Sequence, residues 1–229
     1  MTKRGNGAIG PHVVFAILLC ALVVAQGEAL AATPQPVRMK SDLSRERTFV
    51  PSGGSVVLYD QVDQPSRTSV GSSNGPGADP EDASGADDFA VPLVETWLVK
   101  AVDVVGVDFS EKPSERVRFY LDHGGHPGTV IATIRNVAGI NSGGVLSIPL
   151  GSHAPTLEAG HYWVAVQSNQ PQHLFFWRLR TVETARPAAW ENPLDGFGTG
   201  CTTWRKLNSC FGFDYGDFMF ALEGTQHGS

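Results

Sequence analysis

Short runs of β-branched and aromatic residues, separated by turn residues, fill the chain from residue 55 onward and favour a β fold. Such runs are typical of strands, and several alternate between apolar and polar residues, which predicts one face in the core and one in water. The nine candidate strands are 55–60, 87–92, 96–109, 116–121, 129–137, 144–150, 161–168, 174–181 and 217–224. In three of them the predicted core residues are Val117, Phe119, Leu121, Phe175, Trp177, Leu179, Phe218, Phe220 and Leu222, opposed by Arg116, Arg118, Tyr120, Phe176, Arg178 and Arg180.

This strand content predicts a single all-β domain. The number of strands and their Gly, Pro and Asn turns suit a two-sheet antiparallel sandwich of the jelly-roll type. The domain is predicted to span 55–225 and to end in a short tail, 226–229. Residues 32–54 are polar and rich in Pro and Ser, which predicts a flexible leader. Residues 63–86 are dominated by Ser, Gly, Asp and Pro, which predicts an exposed loop.

The first residues of the chain have the pattern of a secretory signal peptide. Lys3 and Arg4 precede an apolar run, 13–25, and small residues occupy the positions before a cleavage site after Ala31. The run is shorter than the ~20 apolar residues that a spanning helix needs. A lipoprotein signal at Cys20 is the weaker alternative. We therefore expect residues 1–31 to be removed and the mature chain to be secreted, outside the cell or into a periplasm, with no membrane span.

The charge of the mature chain argues against two classes of partner. Loss of residues 1–31 leaves 15 of the 17 basic and 22 of the 23 acidic residues, so the net charge changes from −6 to −7. Nucleic-acid binding depends on Lys and Arg that neutralise phosphates, and anionic membranes attract basic clusters. We expect neither partner, and we expect a monomer.

Cys201 and Cys210 are the cysteines that remain after cleavage, and we predict that they form a disulfide. Cysteines in an oxidising compartment tend to pair. The bridge would close a ten-residue loop and stabilise the fold by about 2.5–3 kcal/mol in the chain-entropy account. A zinc site would need four ligands at a characteristic spacing, and a redox site normally has two residues between its cysteines. A structural disulfide is the better interpretation.

Two short motifs carry side chains that could do chemistry. In "GSSNG" (71–75), Ser73 holds the nucleophile position of the Gly-x-Ser-x-Gly hydrolase pattern, but that pattern is meaningful only where a strand turns sharply into a helix. Asp122, His123 and His126 stand within five residues and are suitable ligands for zinc or iron. Four Gly and Pro residues surround them, so a hairpin turn in water is favoured over a metal site.

Several aspartates near the ends of the first two predicted strands suggest a calcium site. Calcium binds six to eight oxygens, which the loops of secreted sandwiches often supply. Asp60, Asp87 and Asp88 are the candidate ligands. The alternative is that these carboxylates cap turns or accept hydrogen bonds from nearby backbone amides. Of the metals considered, calcium is the cofactor that the sequence favours, and no cofactor is required by it.

The segment "AAWENPLDGFGTGCTTW" (188–204) is the candidate ligand-facing loop. Its glycines allow tight turns, and its aromatic residues either bury themselves at the end of the sandwich or offer flat faces to sugar rings. Trp190, Asn192, Phe197 and Trp204 are the candidate ligand-binding residues.

Six motifs follow one another along residues 55–225. They are "VLYDQVDQPS" (57–66), "GADDFAVP" (85–92), "VRFYLDHGGHPGTVIATIRNV" (117–137), "GHYWVAVQSN" (160–169), the segment 188–204 and "DFMFALEGT" (217–225). Together they resemble an uncharacterised module of secreted bacterial proteins, which implies a β-sandwich without an assigned enzymatic activity. Many such proteins carry a C-terminal sorting tail, whereas "TQHGS" follows the last strand here, so release is expected rather than anchoring.

Two functional hypotheses follow. The first is a secreted, non-catalytic β-sandwich that binds carbohydrate or a surface protein. The alternative is a secreted hydrolase or metal-dependent enzyme with a site built from loop residues such as Asp88, Asp122, His123 and His126. The sequence favours the first because no base can be placed beside a nucleophile.

Overall fold

The computed structural model describes residues 35–39, 54–109, 114–170, 175–214 and 216–228. These residues form sixteen strands and one short α-helix, α1, at Leu207–Phe211, with a 3-10 turn at Gly151–His153. The strands are β1 Val37–Met39, β2 Val56–Asp60, β3 Pro65–Gly71, β4 Ser73–Asn74, β5 Ser84–Val91, β6 Glu95–Val107, β7 Glu115–Asp122, β8 Pro127–Val137, β9 Ile140–Ser142, β10 Val145–Pro149, β11 Thr156–Leu157, β12 Gly160–Asn169, β13 Phe176–Arg180, β14 Ala189–Glu191, β15 Arg205–Lys206 and β16 Phe220–Gly228.

Strands β2, β16, β6 and β10 form the centre of the first sheet, in that order. The long strand β6 also pairs with β11 and β13, and β13 continues through β3 to β1. The second sheet has the order β15-β14-β5-β12-β7-β8, and β4 joins β12 in a short parallel pairing. All the other pairings are antiparallel.

The connection between these strands is that of a jelly roll. The chain passes from β2 to β5 and from β5 to β6, so it crosses between the sheets at each step. It crosses again to β7, runs through the β7–β8 hairpin, and returns through β10 and β12 to β16. The resulting sheets, β2-β16-β6-β10 and β5-β12-β7-β8, are those of an eight-stranded jelly roll. The predicted two-sheet antiparallel sandwich is confirmed.

The core lies between the two sheets and is formed by the residues that alternation assigns to the inner faces. Val117 and Phe119 of β7 meet Phe218, Phe220 and other residues of the first sheet in one apolar cluster. Phe175, Trp177, Leu179 and Leu222 also belong to this cluster. Leu121, predicted to face the core, is 44% exposed because β7 reaches the edge of the sandwich there.

The polar segment 63–86 is a partly exposed loop only over residues 63–64 and 75–83, and for the rest of the segment this prediction was wrong. It contains β3, β4 and the start of β5, and Thr68, Ser69 and Ser72 within it are buried. Their backbone groups are paired with neighbouring strands, and Ser72 Oγ donates to Val166 O and accepts from Gly85 N. Burial of a polar residue is tolerated when its hydrogen bonds are satisfied.

The predicted leader, 32–54, includes β1, which pairs with β3 in the first sheet. Residues 40–53 and the predicted signal peptide, 1–31, lie outside the described residues. Within the described part of the chain, no helix has the length and apolar character to cross a membrane.

Candidate functional site

The outer face of the second sheet carries a second, smaller apolar cluster. A row of alanines crosses three neighbouring strands, with Ala189 of β14 beside Ala86 of β5 and Ala86 beside Ala165 of β12. The next residue in the row is Arg118 of β7. Trp163, Tyr120 and the half-buried Trp204 pack against the alanines. The small alanine side chains therefore leave space on this face for the larger side chains of Tyr120, Trp163 and Trp204.

Tyr120 and Trp204 place aromatic rings on this face. Their ring centroids are 5.8 Å apart at an interplanar angle of 80°, an edge-to-face contact. Arg118 Cζ lies 5.8 Å from the centroid of the Tyr120 ring, within the distance of a cation–π contact. Trp163 is fully buried beside them, and its indole Nε1 donates to Asp122 Oδ1 at 2.9 Å.

Polar side chains line the other side of the alanine row. Arg118 Nη2 donates to Gln167 Oε1 at 2.6 Å and to Ser84 Oγ at 3.4 Å. Gln167 is held in turn, because its Nε2 donates to Ala83 O at 2.9 Å. On the same strand as Arg118, Arg116 Nη1 donates to Asn74 Oδ1 at 3.2 Å. The guanidinium groups are thus oriented by fixed side chains.

The charges on this face perturb one another. Burial raises the pKa of Glu191 to about 7, and the positive charge of Arg118 opposes that rise. Burial likewise raises the pKa of Tyr120 to about 12, and Arg118 again acts in the opposite direction. The Tyr120 hydroxyl is buried and has no hydrogen-bond partner in the described part of the chain. Perturbed ionisable groups gathered in one place are a feature of functional sites.

We call Arg118, Tyr120, Glu191 and Trp204 the ligand face. In this set Arg118, Glu191 and the Trp204 ring are partly exposed, whereas Tyr120 is 3% exposed and packs against Trp204. Aromatic rings stack on apolar faces of ligands, and charged groups form the strongest hydrogen bonds to them. Trp204 alone of these four was a candidate from the sequence. The signal that could have revealed Arg118 and Tyr120 is their position opposite the core residues of β7.

The other three candidates in segment 188–204 support the structure instead of facing a ligand. Trp190 is 0% exposed and packs against Phe211, with ring centroids 4.8 Å apart. Its indole Nε1 donates to Gly71 O at 2.8 Å. Phe197 lies half-buried against Trp190, with ring centroids 6.2 Å apart. The expectation that Trp190 offers a surface for sugars was therefore wrong, because the rest of the core covers it.

Asn192 holds the two loops at this end of the sandwich together. Its Nδ2 donates to Pro80 O at 2.6 Å and to Asp82 O at 2.8 Å, and its Oδ1 accepts from Phe197 N at 3.0 Å. With three hydrogen bonds and no exposed surface, the Asn192 side chain stabilises the loops and is not available to a ligand.

The predicted disulfide between Cys201 and Cys210 is confirmed. The two sulfurs are at bonding distance and the Cα atoms are 6.0 Å apart. Cys210 belongs to α1, and Gly212 ends this helix in the left-handed conformation at φ 70°. The bridge thus fixes α1 to the start of the connection that carries Trp204.

The structure does not bring Asp60, Asp87 and Asp88 together as one cation site. Asp87 is buried between the sheets, where its Oδ2 accepts from Gln61 Nε2 at 2.7 Å and from Phe218 N at 2.6 Å. Asp88 faces the other side of β5 and contacts His161 Nε2. Asp60 Oδ1 accepts from Val62 N at 2.9 Å. In the described residues no group of three or more His, Cys, Asp or Glu side chains is arranged to hold a metal ion.

Asp87 also belongs to a group of buried acids that the sequence did not reveal. Burial raises its pKa well above the usual value, and the negative charges of Asp217 and Asp88 add to the rise. Burial raises the pKa of Asp217 to about 7, against the influence of Thr184 N and Arg180. Arg180 also pairs with Asp63, with 2.6 Å between Nη2 and Oδ1. The hydrogen bonds of Asp87 with Gln61 and Phe218 connect the two sheets in the interior, whereas the Asp63 side chain is 55% exposed.

The two other motifs with candidate chemistry, residues 71–75 and 122–126, make hydrogen bonds that stabilise the fold. Ser73 is 2% exposed, and its hydroxyl donates to Phe175 O at 3.3 Å. Asp122 accepts hydrogen bonds from Trp163 and from Gly125 N, and it pairs with Arg186 at 3.4 Å. His123 N donates to His126 O at 2.9 Å, closing the turn between β7 and β8.

A cleft of about 540 Å³ lies on the outer face of the first sheet. Its lining includes Leu98, Lys100, Pro149, Ser152 and Glu223, and no aromatic side chain contributes to the described lining. In this respect the cleft differs from the ligand face, which carries the partly exposed ring of Trp204.

Comparison with known proteins gives a likeness of fold. No family model and no curated protein matches the sequence. The structure is similar to that of the cysteine protease and lectin-like domains of Cwp84, a surface layer associated protein of Clostridium difficile, with a TM-score of 0.50 and 12% identity over 78% of this chain. A second structure of the clostridial cysteine protease Cwp84, after propeptide cleavage, gives a TM-score of 0.42 and 11% identity over 64% of this chain. The matches span 37% and 36% of those chains, and at this identity the first shows a shared fold.

Proposed function

We propose that this chain is a secreted, non-catalytic β-sandwich that binds carbohydrate through the ligand face. The observation that carries the proposal is the partly exposed Trp204 beside Arg118 and Glu191, with the buried Tyr120 packed against Trp204 and Arg118. Sugars present apolar ring faces and a rim of hydroxyl groups, so aromatic rings next to charged hydrogen-bonding groups suit them. Arg118 and Glu191 lie on strands and Trp204 directly precedes β15, so the sheet gives the site the rigidity that binding requires.

The fold and the cysteines support the same proposal. The protein with the similar fold contains a lectin-like domain and is associated with a surface layer. The disulfide between Cys201 and Cys210 suits an oxidising compartment, and the signal-peptide pattern in residues 1–31 predicts export.

Two of the side chains considered for catalysis, Ser73 and Asp122, have structural partners. Ser73 is buried and bonded to a backbone carbonyl, whereas a nucleophile must be reachable by its substrate. The Asp122 carboxylate is shared among Trp163, Gly125 and Arg186. Binding without catalysis is thus the better explanation of the geometry.

The proposal is tested by measuring binding to immobilised neutral and charged polysaccharides. We expect wild type to bind at least one polysaccharide and Trp204→Ala to weaken that binding about tenfold or more, as for a buried aromatic anchor. Leu93→Ala is the control, because Leu93 is 84% exposed in the turn after β5, away from the ligand face. Full binding by Trp204→Ala, or no binding by wild type, would contradict the proposal. Release of reducing sugar by wild type would favour the enzyme hypothesis.

A further inference from the structure

Three arginines gather along one side of the ligand face although the whole chain carries a net charge of −6. Arg116 and Arg118 lie on β7 and Arg135 lies on the neighbouring strand β8. Burial lowers the pKa of Arg116, and the positive charges of Arg118 and Arg135 lower it further. Val117 pairs with Ile134, so Arg116 and Arg135 follow at neighbouring positions of the two strands. Arg118 and Arg135 thus each repel the charge of Arg116, an arrangement that an anion would relieve.

Two hydrogen-bond donors of this region have no acceptor among the described residues. Arg116 Nε is buried without a partner, and so is the hydroxyl of Tyr120, a residue that is 3% exposed. An unsatisfied buried donor is unfavourable by about 1–3 kcal/mol. The two groups act on each other electrostatically, so they lie in one neighbourhood. Solvent does not reach either atom, so a ligand would contact the partly exposed Arg116 and Arg118 and the exposed Arg135 instead.

The acids in this neighbourhood do not balance the three arginines. Asp82 attracts Arg116, but it is one carboxylate beside three guanidinium groups. Burial raises the pKa of Glu191 to about 7, so this carboxyl group is only partly ionised at neutral pH. A positive charge is left over beside the aromatic rings.

We propose that the ligand of this face is an anionic carbohydrate, whose carboxylate, sulfate or phosphate groups bind the guanidinium groups of Arg116, Arg118 and Arg135. This inference rests on the proposed function and adds the chemical class of the ligand. Guanidinium groups match such oxyanions in geometry and form charge-assisted hydrogen bonds with them. The sugar ring stacks on Trp204 while its acidic group reaches β7 and β8.

The test compares charged polymers with uncharged forms of the same backbone. Polygalacturonate is compared with its carboxyl-reduced form, and dextran sulfate and dextran phosphate are compared with dextran. We expect wild type to bind at least one charged polymer about tenfold or more tightly than its neutral form. We also expect this preference to decrease as salt is raised, because salt screens partly exposed charges. The three acidic groups distinguish carboxylate, sulfate and phosphate as the preferred anion.

Arginine variants show which guanidinium groups bind the charged polymer. We expect Arg118→Gln to weaken binding of the charged polymer about tenfold, and the exposed Arg135→Gln to weaken it about twofold to fivefold. Arg67→Gln removes the same charge from an exposed position of β3 in the first sheet and should leave binding unchanged. Circular dichroism of each variant shows whether it is folded, and Arg135→Gln remains informative if Arg118→Gln is not.

The outcomes separate this inference from the proposed function. Equal binding of charged and neutral polymers, lost in Trp204→Ala, would overturn the anionic class and keep carbohydrate binding. Charge-dependent binding that Arg67→Gln weakens as much as Arg135→Gln would also overturn it, because the attraction would then be non-specific. Absence of binding to every polymer would overturn both.

Discussion

Trp190 and Trp204 flank the same glycine-rich connection but have different surroundings. Trp190 points into the space between the sheets, where Phe211, Phe197 and the carbonyl of Gly71 surround it. Trp204 lies half-buried on the outer face beside Tyr120. The residue type is the same in both places, so the role of each ring follows from its neighbours in the fold.

Replacing these two tryptophans should affect stability to different extents. We expect Trp190→Ala to lower the free energy of unfolding by about 3–5 kcal/mol, because it removes a buried ring and leaves a cavity. Trp204→Ala should lower it by less than about 2 kcal/mol, because part of that ring is already in water. Urea denaturation followed by circular dichroism measures both values. Equal losses, or a larger loss for Trp204→Ala, would show that the assignment of core and surface is reversed.

The sequence predicts apolar core residues better than it predicts buried charged ones. Val117 and Phe119 were assigned to the core from alternation alone, and both are fully buried. Arg178 and Arg180 were assigned to the water-facing side of their strand, yet both are buried. Arg178 Nε donates to Ser66 O at 2.8 Å, and Arg180 pairs with Asp63. Such partners are more than a hundred residues away in sequence, so no local pattern contains them.

Strand prediction found the strands of the central sandwich and missed seven others in the described residues, six of them only two or three residues long. All nine predicted runs contain strands. Strands β3 and β4 were missed because Ser, Thr and Gly there resemble a loop in composition. In the structure these strands lie beside β13 and β12 and are stabilised by backbone pairing across long sequence distances. Pairing of this kind depends on the partner strand and is not encoded in the segment itself.

Two glycines of β16 offer a matched test of how β16 packs on β6. A Cβ atom at Gly224 would lie 2.0 Å from Leu98 O, at the bulge where the register of the two strands shifts. A Cβ atom at Gly228 would meet no atom within 4 Å. We expect Gly224→Ala to lower the free energy of unfolding by about 1–3 kcal/mol through overpacking, and Gly228→Ala to change it by less than about 0.5 kcal/mol. Thermal denaturation of both variants measures the two changes in stability. Equal changes would argue against the close approach of β16 and β6 at the bulge.

The disulfide should stabilise the connection that carries α1 and β15. We expect the double variant Cys201→Ser, Cys210→Ser to lose about 2.5–3 kcal/mol of unfolding free energy, since the bridge restricts a ten-residue loop in the unfolded chain. Reduction of wild type should give a similar loss, whereas dithiothreitol should leave the double variant unchanged. A variant as stable as the oxidised protein would show that the bridge does not contribute.

The sandwich as a whole encloses several carboxyl groups whose pKa values are raised. Burial raises the pKa of Asp103 to about 7 on the first sheet, where Ser147 opposes the rise and Glu223 adds to it. Glu115 is the first residue of β7, and burial raises its pKa to about 8, although the hydrogen bond from Ser168 lowers it. With Asp217 between the sheets, the folded chain holds protons that the unfolded chain releases. These groups therefore make the free energy of unfolding decrease as the pH rises.

Glu115 is a suitable group for measuring this coupling. Its pKa is about 8 in the folded chain, compared with an ordinary value of 4.5, so between these pH values the folded state binds the proton and the unfolded state does not. The contribution to stability is complete below about pH 4.5 and is lost as the pH rises through about 8. The free energy of unfolding of wild type should thus fall across this range, and Glu115 alone accounts for up to about 1.4 kcal/mol per pH unit.

Glu115→Gln should reduce this dependence, because glutamine keeps the shape of the protonated acid and does not ionise. Urea denaturation at intervals between pH 4.5 and pH 8 measures the slope for wild type and variant. Glu158→Gln, at an exposed position whose side chain accepts a hydrogen bond from Thr96, is the matched control and should keep the slope of wild type. Wild type that gains stability as the pH rises, or equal slopes for Glu115→Gln and wild type, would show that Glu115 is ionised when buried. In that case its charge would have to be compensated inside the sandwich, since an isolated buried carboxylate is strongly unfavourable.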